Sequence, residues 1–441
     1  MATPLLQQIK YRLGSHVCFY VTRDIERALE ITLDGSLAYF IITNASDYAR
    51  SVAAKNPNVV LVENDETLDT WQLLEHPETK KRMRPGDFVM VFKNTTLIES
   101  ICKKNNWQLL NPSAELANKV EEKISQIYWL RELAKYLPPH EITTAEKAIW
   151  NNQKFILQFN RAHTGTGTLL VESEQQLREI QSKFPQREVR VTKFINGPVF
   201  TSNNVVVDVS AHASSHPPTP LIGGNRIPPT AHNNLRLSPN ISYQITGLQP
   251  FTDLPFATIG NDWSLPHKLL SSKQKNCFTQ IVTDIGRKLH QDGWRGLFGV
   301  DIIMDEQTGH LYLLEINARQ PASTTYESEL QSQREGYENV TTFETHLASL
   351  LGINLGGYEI QLVNNGAQII YRVPGNGAML STDKLNPAIN NLRKLDLNVI
   401  QYNNKKPGSD LLRIQSKQGI MKNHCSFNAT GVLISELLDL A

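Results

Sequence analysis

Short apolar runs alternate with longer segments of helical periodicity through residues 1–112. The runs occupy residues 17–21, 37–43, 59–62 and 88–92. Strands of a parallel sheet are buried on both faces and give uninterrupted apolar runs of this kind, with helices between them. The pattern therefore predicts an N-terminal α/β domain. No glycine-rich fingerprint follows the first run, so a dinucleotide site is not expected there.

The following residues combine a long helical pattern with shorter strand patterns. Apolar residues recur every three or four positions from residue 116 to residue 137, which predicts a single amphipathic helix that ends at Pro138. Strands are then predicted at residues 155–159, 169–171, 190–195, 205–209 and 241–245. A turn rich in glycine and threonine, residues 163–168, separates the first two strands. This mixture predicts an α+β organisation after the N-terminal domain.

The most informative pattern is an apolar hairpin that contains acidic residues. Its two strands are predicted at residues 297–304 and 311–316. Side chains alternate between the faces of a strand, so Glu315 and Asn317 point to the same side, and Asp301 can lie opposite Glu315. Two carboxylates placed so close repel each other unless a cation lies between them. Oxygen ligands without histidine or cysteine favour magnesium, which takes its remaining ligands from water and phosphates.

Arg319 continues this pattern two residues after Asn317. A fixed cation at that position could hold a carboxylate or stabilise a phosphoryl group during transfer. Acidic residues at strand ends and Asn-x-Arg turns are also common without any metal. The combination of three oxygen-bearing side chains in one apolar hairpin favours the metal site over that interpretation.

Charge and cysteine content exclude several other classes of protein. The chain has 441 residues with 44 basic and 43 acidic side chains, which argues against a nucleic-acid-binding protein with a broad basic surface. Its four cysteines are widely separated, so neither a zinc site nor a disulfide framework is expected. No segment approaches the roughly 18 apolar residues of a membrane helix, and residues 1–13 lack the apolar core of a signal peptide. We therefore expect a cytoplasmic protein without nucleic-acid or membrane partners.

At residues 293–301 and 312–319 the sequence resembles the ATP-grasp superfamily, which includes biotin carboxylase and D-alanine–D-alanine ligase. The resemblance covers residues 110–350 and implies an N-terminal α/β domain followed by a two-subdomain ATP-grasp fold and a small β-rich C-terminal region. The implied boundaries are 1–112 for the N-terminal domain, 113–192 for the helical and strand subdomain with the glycine-rich loop, 193–350 for the metal-binding subdomain, and 351–441 for the C-terminal region.

The resemblance also implies ATP and Mg²⁺ as cofactors and assigns roles to individual residues. Lys123 corresponds to the lysine that reaches the phosphates, with Lys119 as a rival. Adenine is expected to bond to the backbone of the hinge between the subdomains, through the Lys193 carbonyl and the Ile195 amide. The implied magnesium ligands are Asp301, Glu315 and Asn317, and the implied catalytic arginine is Arg319. The implied glycine-rich phosphate loop includes Thr164, Gly165, Thr166 and Gly167, and the implied hinge is Thr192, Lys193, Phe194 and Ile195.

Two positions depart from the family pattern. The strand before the glycine-rich loop usually has a lysine for the α- and β-phosphates, and this chain has Gln158, which can donate a hydrogen bond but has no charge. Arg161, His163 or a lysine elsewhere could compensate. The hinge usually opens with an acid, and this chain has Thr192. The chain therefore resembles a divergent branch of the superfamily.

The resemblance implies a ligase that releases ADP and phosphate. Such an enzyme activates a small-molecule or peptide carboxylate as an acyl phosphate, which an amine or other nucleophile then attacks. A small-molecule kinase that uses the same site and a non-catalytic nucleotide-binding protein are the alternatives, and Gln158 is the best support for the latter. The sequence does not identify the acceptor or the nucleophile, and it does not exclude a homo-oligomer.

Overall fold

The computed structural model describes residues 4–29, 37–160, 167–207, 235–332 except 237 and 239, 339–374, and 382–439 except 403 and 405. These residues form a five-stranded, a four-stranded and a nine-stranded sheet, together with two small two-stranded sheets. Within the same residues, no helix has the length and apolar character needed to cross a membrane.

The N-terminal sheet is parallel, as its apolar runs predict. Its strands are β1 (Cys18–Val21), β2 (Tyr39–Asn44), β3 (Val59–Val62), β4 (Phe88–Val91) and β5 (Gln108–Leu109), in the order β3-β2-β1-β4-β5. The helices are α1 (Pro4–Leu13), α2 (Asp47–Ala53), α3 (Thr70–Glu75), α4 (Pro77–Arg82) and α5 (Thr96–Lys104), with a 3₁₀ helix at Ile25–Ala28. The strand order reverses between β1 and β4. The segments that follow these two strands therefore meet at one edge of the sheet, where ligands bind in many α/β folds.

The helical pattern at residues 116–137 forms a broken helix, so the prediction of a single helix is wrong. Helix α6 (Ala114–Glu121) ends at Glu121, and the next residue, Glu122, has an extended backbone. Helix α7 (Ser125–Leu130) and a 3₁₀ helix (Arg131–Tyr136) follow. The break is stabilised by Asn160, whose Oδ1 accepts hydrogen bonds from the backbone amides of Ile124 and Ser125 at 2.9 and 3.1 Å. A side chain thus replaces the acceptors that a continuous helix would supply.

The four-stranded sheet is antiparallel. Its strands are β6 (His140–Thr144), β7 (Phe155–Phe159), β8 (Thr168–Val171) and β9 (Glu188–Lys193), in the order β6-β9-β7-β8, with helix α8 (Glu174–Lys183) and a 3₁₀ helix at Ala145–Lys147. One face of the sheet belongs to an apolar cluster that includes Leu157 and Val189. Because side chains alternate along a strand, the opposite face presents Gln158, Arg190 and Thr192.

The nine-stranded sheet contains the predicted hairpin. Its strands are β10 (Val199–Val206), β11 (Leu235–Arg236), β12 (Ser242–Thr246), β13 (Thr258–Asp262), β14 (Gly296–Met304), β15 (Leu311–Asn317), β18 (Ala367–Arg372), β19 (Asn398–Gln401) and β20 (Asp410–Ser416). The order is β15-β14-β10-β12-β13-β18-β20-β19, and β11 also pairs with β10. Strands β16 (Asn339–Val340) and β17 (Glu359–Ile360) form one small sheet, and β21 (Met421–Asn423) and β22 (Ser426–Phe427) form the other.

Helices cover this large sheet and bury the core. They are α9 (Pro266–Leu269), α10 (Ser272–Gln291), α11 (Thr324–Gln331), α12 (Thr342–Leu350), α13 (Thr382–Lys394) and α14 (Ala429–Asp439). The apolar face of α10, which includes Ile281 and Ile285, lies in the same apolar core as Phe298 and Ile316 of the hairpin. The C-terminal residues supply β18, β19 and β20, so they continue the sheet to which the hairpin belongs.

Candidate nucleotide and metal site

The two strands of the hairpin pair as the sequence predicts. Strands β14 and β15 are antiparallel, and their register places Asp301 opposite Glu315 and Gly299 opposite Asn317. The absence of a side chain at Gly299 leaves space for Pro321 and Asn317, because a Cβ at position 299 would lie 2.7 Å from the Pro321 ring and 3.3 Å from Cβ of Asn317. The hairpin therefore brings the three oxygen-bearing side chains together.

The Asp301 carboxylate has an incomplete set of hydrogen bonds. Its Oδ2 accepts a 3.1 Å hydrogen bond from Nδ2 of Asn317, whereas its buried Oδ1 has no hydrogen-bond partner. Burial, and then the negative charge of Glu315, raise the pKa of Asp301, and Thr201 and Gln244 offset part of this rise. A cation between the two carboxylates would satisfy the free oxygen and remove the repulsion.

The donor set fits a magnesium ion that is shared with phosphates. Among the described residues, no group of three histidine, cysteine, aspartate or glutamate side chains is arranged to hold a metal. The hairpin offers two carboxylates and the side-chain amide of Asn317. A 180° flip of this amide exchanges its oxygen and nitrogen and turns the oxygen toward the metal position. Magnesium usually takes one or two carboxylates from the protein and completes its shell with water and phosphate oxygens. A phosphate-bearing ligand would therefore complete this site.

Lys123 contacts Glu315, one of the two carboxylates of the hairpin. Its Nζ lies 2.9 Å from Oε1 of Glu315. Burial acts to raise the pKa of Glu315, but the positive charges of Lys123 and Arg319 outweigh it and hold that pKa below its usual value. The rival Lys119 is exposed on helix α6. Of the two lysines, the structure brings Lys123 to the hairpin.

Arg319 is held by a residue that the sequence analysis did not identify. Its NH1 donates a 2.7 Å hydrogen bond to Oε1 of Glu121, the last residue of α6, and the Glu121 side chain is only 8% exposed. The other oxygen of Glu121 accepts a hydrogen bond from Nζ of Lys93, which follows strand β4. One carboxylate from the helical segment thus fixes two cations, one from the hairpin and one from the N-terminal domain.

A second arginine, Arg27 of the N-terminal domain, lies beside Arg319. The guanidinium of Arg27 lies 3.8 Å from the ring centroid of Phe92, and that of Arg319 lies 5.6 Å from the same centroid. NH1 of Arg27 is buried without a hydrogen-bond partner. Gln320 connects the end of the hairpin to the N-terminal domain. It accepts a 2.7 Å hydrogen bond from the Tyr20 hydroxyl and donates one to the Arg27 carbonyl. Strand order is the signal that would have pointed to this site, because Arg27 and Phe92 follow β1 and β4.

The residues expected to contact the nucleotide lie on the four-stranded sheet and just after it. Gln158 is on β7, and its Nε2 donates to Oγ1 of Thr168 at 3.3 Å. Thr192 and Lys193 end β9, and Phe194 and Ile195 follow in the connection to β10. Of the predicted phosphate loop, Gly167 is described, and its carbonyl accepts a hydrogen bond from the Phe159 amide. Thr164, Gly165 and Thr166 lie outside the described residues, as do Arg161 and His163.

Comparison with known proteins gives matches of structure but not of sequence. Neither the family models nor the curated proteins include one that matches this sequence. Similar solved structures include N5-carboxyaminoimidazole synthase from Aspergillus clavatus in complex with ADP and 5-aminoimidazole ribonucleotide (TM-score 0.62, 12% identity, covering 97% of this chain and 98% of that one). They also include L-amino acid ligase from Bacillus licheniformis (TM-score 0.62, 13% identity, covering 97% of this chain and 98% of that one). A third is a biotin carboxylase–beta-gamma-ATP complex from Campylobacter jejuni (TM-score 0.61, 13% identity, covering 96% of this chain and 91% of that one). At these identities the likeness shows the fold, and the prediction of an ATP-grasp fold is confirmed.

Proposed function

We propose that this protein is a Mg²⁺-dependent ligase that activates a carboxylate with ATP and releases ADP and phosphate. The observation that supports this most strongly is the convergence of Asp301, Glu315 and Asn317 with Lys123 and Arg319 within an ATP-grasp fold. The similar structures are those of a synthase in complex with ADP, an L-amino acid ligase and a biotin carboxylase in complex with beta-gamma-ATP. The predicted cytoplasmic location and the four predicted domain ranges form part of this proposal.

The proposal places ATP between the four-stranded sheet and the hairpin. Adenine would bond to the backbone at Lys193 and Ile195, and the glycine-rich residues 164–167 would cover the phosphates. Lys123 would exchange its contact with Glu315 for a phosphate oxygen. When bound, Mg²⁺ would be held by Asp301, Glu315 and Asn317 and would neutralise charge on the transferring phosphoryl group.

The acceptor carboxylate is proposed to bind at the edge of the N-terminal sheet, near Arg319 and Arg27. Two guanidinium groups against one aromatic ring form a cationic surface, and the buried NH1 of Arg27 is a donor without a partner. A carboxylate or phosphate on the acceptor would satisfy such donors with charge-assisted hydrogen bonds. Lys93 and Arg27 contribute positive charge beside Arg319 and offset the negative charge of Glu121, which favours an anion at this surface.

The proposed reaction has two steps. A carboxylate oxygen of the acceptor attacks the γ-phosphorus of ATP, a new oxygen–phosphorus bond forms, and the bond to the β-phosphate breaks to release ADP. The nucleophile then attacks the acyl carbon, inorganic phosphate leaves, and the proton of an attacking amine passes to solvent. Arg319 would orient the acceptor and stabilise the charge on the transferring group, so no covalent bond to the protein is needed.

A substrate screen tests the proposal. Purified protein is incubated with Mg²⁺-ATP and pooled carboxylates and amines, ADP release is measured, and active pools are resolved by mass spectrometry. An amide or related conjugate formed with ADP and phosphate supports the ligase. A stable phosphorylated product would indicate the kinase instead, and nucleotide binding without ADP release across the panel would indicate the non-catalytic protein.

Variants of the hairpin connect the activity to the site. Asp301→Ala and Glu315→Ala are expected to abolish turnover, because each removes a proposed metal ligand. Glu141→Ala is the matched control, since Glu141 is an exposed carboxylate on β6, in a different sheet from the hairpin. ADP formation that survives either hairpin substitution would refute the metal assignment.

A further inference from the structure

Arg190 is a buried cation at the centre of the four-stranded sheet. Its residue exposure is 1%, and both Nε and NH1 are buried without a hydrogen-bond partner. Within the described part of the chain, its guanidinium forms no ion pair with a carboxylate. Burial lowers the pKa of Arg190 to about 10, which leaves it positively charged at neutral pH. Among the described residues, no carboxylate therefore compensates the positive charge of Arg190.

The sheet register places this charge directly beside Gln158. Arg190 of β9 pairs with Gln158 of β7, and Thr192 pairs with Ile156. Directly paired residues of an antiparallel sheet share one face, so these four side chains lie on the face opposite to the apolar cluster of Leu157 and Val189. The Thr192 hydroxyl on this face is also buried without a partner. Arg190 and Thr192 thus offer unsatisfied donors on the same face as Gln158.

A structural role alone does not account for this arrangement. An unpaired buried charge destabilises a folded protein, and an apolar side chain of similar volume is usually tolerated as well or better. A buried arginine that stabilises a fold normally bonds its donors to carboxylates or carbonyls. The free Nε and NH1 instead suit an anion that arrives with a ligand, because guanidinium donors form charge-assisted hydrogen bonds with phosphate oxygens.

We propose that Arg190 binds the phosphates of the nucleotide and supplies from strand β9 the positive charge that Gln158 cannot supply from strand β7. The inference rests on the proposed binding of ATP to this cleft, and it adds a residue that contacts the substrate. Gln158 then contributes a neutral hydrogen bond beside the charge. The sequence conceals this role, because an arginine in an alternating strand is ordinarily read as an exposed residue.

The test compares the binding of ADP with that of adenosine, which lacks the phosphates. Calorimetric titrations use the full chain with Mg²⁺, the variant Arg190→Met and the control Arg178→Met, which removes an exposed arginine of the same subdomain. Removal of a hydrogen bond to a charged group lowers the affinity by about tenfold to a hundredfold. Arg190→Met is expected to lower the affinity for ADP by this factor and to leave the affinity for adenosine within about twofold of the wild-type value. Arg178→Met is expected to change neither affinity.

Thermal unfolding without nucleotide separates binding from a structural role. If Arg190 is an uncompensated charge, Arg190→Met is at least as stable as the wild type. A folded Arg190→Met protein with an unchanged ratio of ADP to adenosine affinity overturns the inference, while ADP binding by the wild type leaves the proposed function standing. If Arg190→Met does not fold, Arg190→Gln is measured in the same way, and an unchanged ratio there overturns the inference equally. A wild-type protein that binds neither ligand would refute the proposed function itself.

Discussion

Replacement of Glu121 by glutamine should reduce catalysis through the loss of a fixed position for Arg319. The Glu121 side chain accepts hydrogen bonds from Arg319 and Lys93 with its two oxygens. Glutamine keeps the shape but has one acceptor oxygen and no charge, so one of the two cations loses its partner. Among the described residues, Glu121 has no hydrogen bond or ion pair with the proposed metal ligands or the hinge, so it is a positioning residue in this account.

The expected size of the effect follows from the exposure of the three side chains. A hydrogen bond between charged groups contributes about 1.5–3 kcal/mol. The Glu121 side chain is 8% exposed, but those of Arg319 and Lys93 are 27% and 33% exposed, so both cations recover part of their hydration. We therefore expect the lower part of the range, about 1.5–2 kcal/mol, which corresponds to a tenfold to thirtyfold loss in kcat/KM for the acceptor carboxylate.

The assay measures ADP release with the active carboxylate and amine from the screen. Glu121→Gln should lower kcat/KM for the carboxylate, while the KM for ATP stays within about twofold of the wild-type value. Glu115→Gln, an exposed glutamate on the same helix, should behave as the wild type. A rise in the KM for ATP as large as the loss in kcat/KM for the carboxylate would refute the reasoning, because it would indicate a general disturbance of the helical segment.

Three further predictions concern other parts of the molecule. Lys123→Met should weaken ATP binding by about tenfold in titration calorimetry, because a charge-assisted phosphate contact is lost; an unchanged ATP affinity would exclude Lys123 from the phosphate site. Burial raises the pKa of Glu327 to about 7, so the folded protein holds a proton that the unfolded chain releases above about pH 4.3. The free energy of unfolding should therefore fall by about 3.5 kcal/mol as pH rises from about 4.3 to about 7. In urea unfolding, the Glu327→Gln variant should lack this pH dependence. Identical profiles of unfolding free energy against pH in the wild type and the variant would contradict the prediction. Gly296→Ala should destabilise the protein by more than about 2 kcal/mol, because φ is +83° and the new Cβ would lie 2.5 Å from His346. Gly293→Ala, with φ of +85° and open space, should lose only about 1 kcal/mol in the same unfolding experiment, and equal losses would contradict the steric argument.

The hairpin was predictable because its information is local. Alternation along two apolar strands is sufficient to place Glu315 and Asn317 on one face, and a short connection limits which residue lies opposite Glu315. The parallel sheet was predictable for the same reason, since each buried strand is a continuous apolar run. The register of Asp301 and Glu315 is the direct result of these two rules.

The remaining features depend on contacts between distant parts of the chain. The helix break at Glu122 is stabilised by Asn160, and the anchor of Arg319 is Glu121, 198 residues earlier in sequence. Arg190 has the same periodicity as an exposed strand residue, but the structure buries it. Local patterns do not contain such pairings, because a period of two or of three to four residues indicates only which faces are apolar.

The central claim is that the carboxylate is activated by transfer of the γ-phosphoryl group, and an isotope experiment tests it most directly. The active carboxylate from the screen is labelled with heavy oxygen and incubated with its amine partner and Mg²⁺-ATP, and the label is traced by mass spectrometry. An acyl phosphate requires that one labelled oxygen leaves the carboxylate and appears in inorganic phosphate, with ADP as the nucleotide product. Label found in AMP, or retained entirely in the conjugate, would contradict the account.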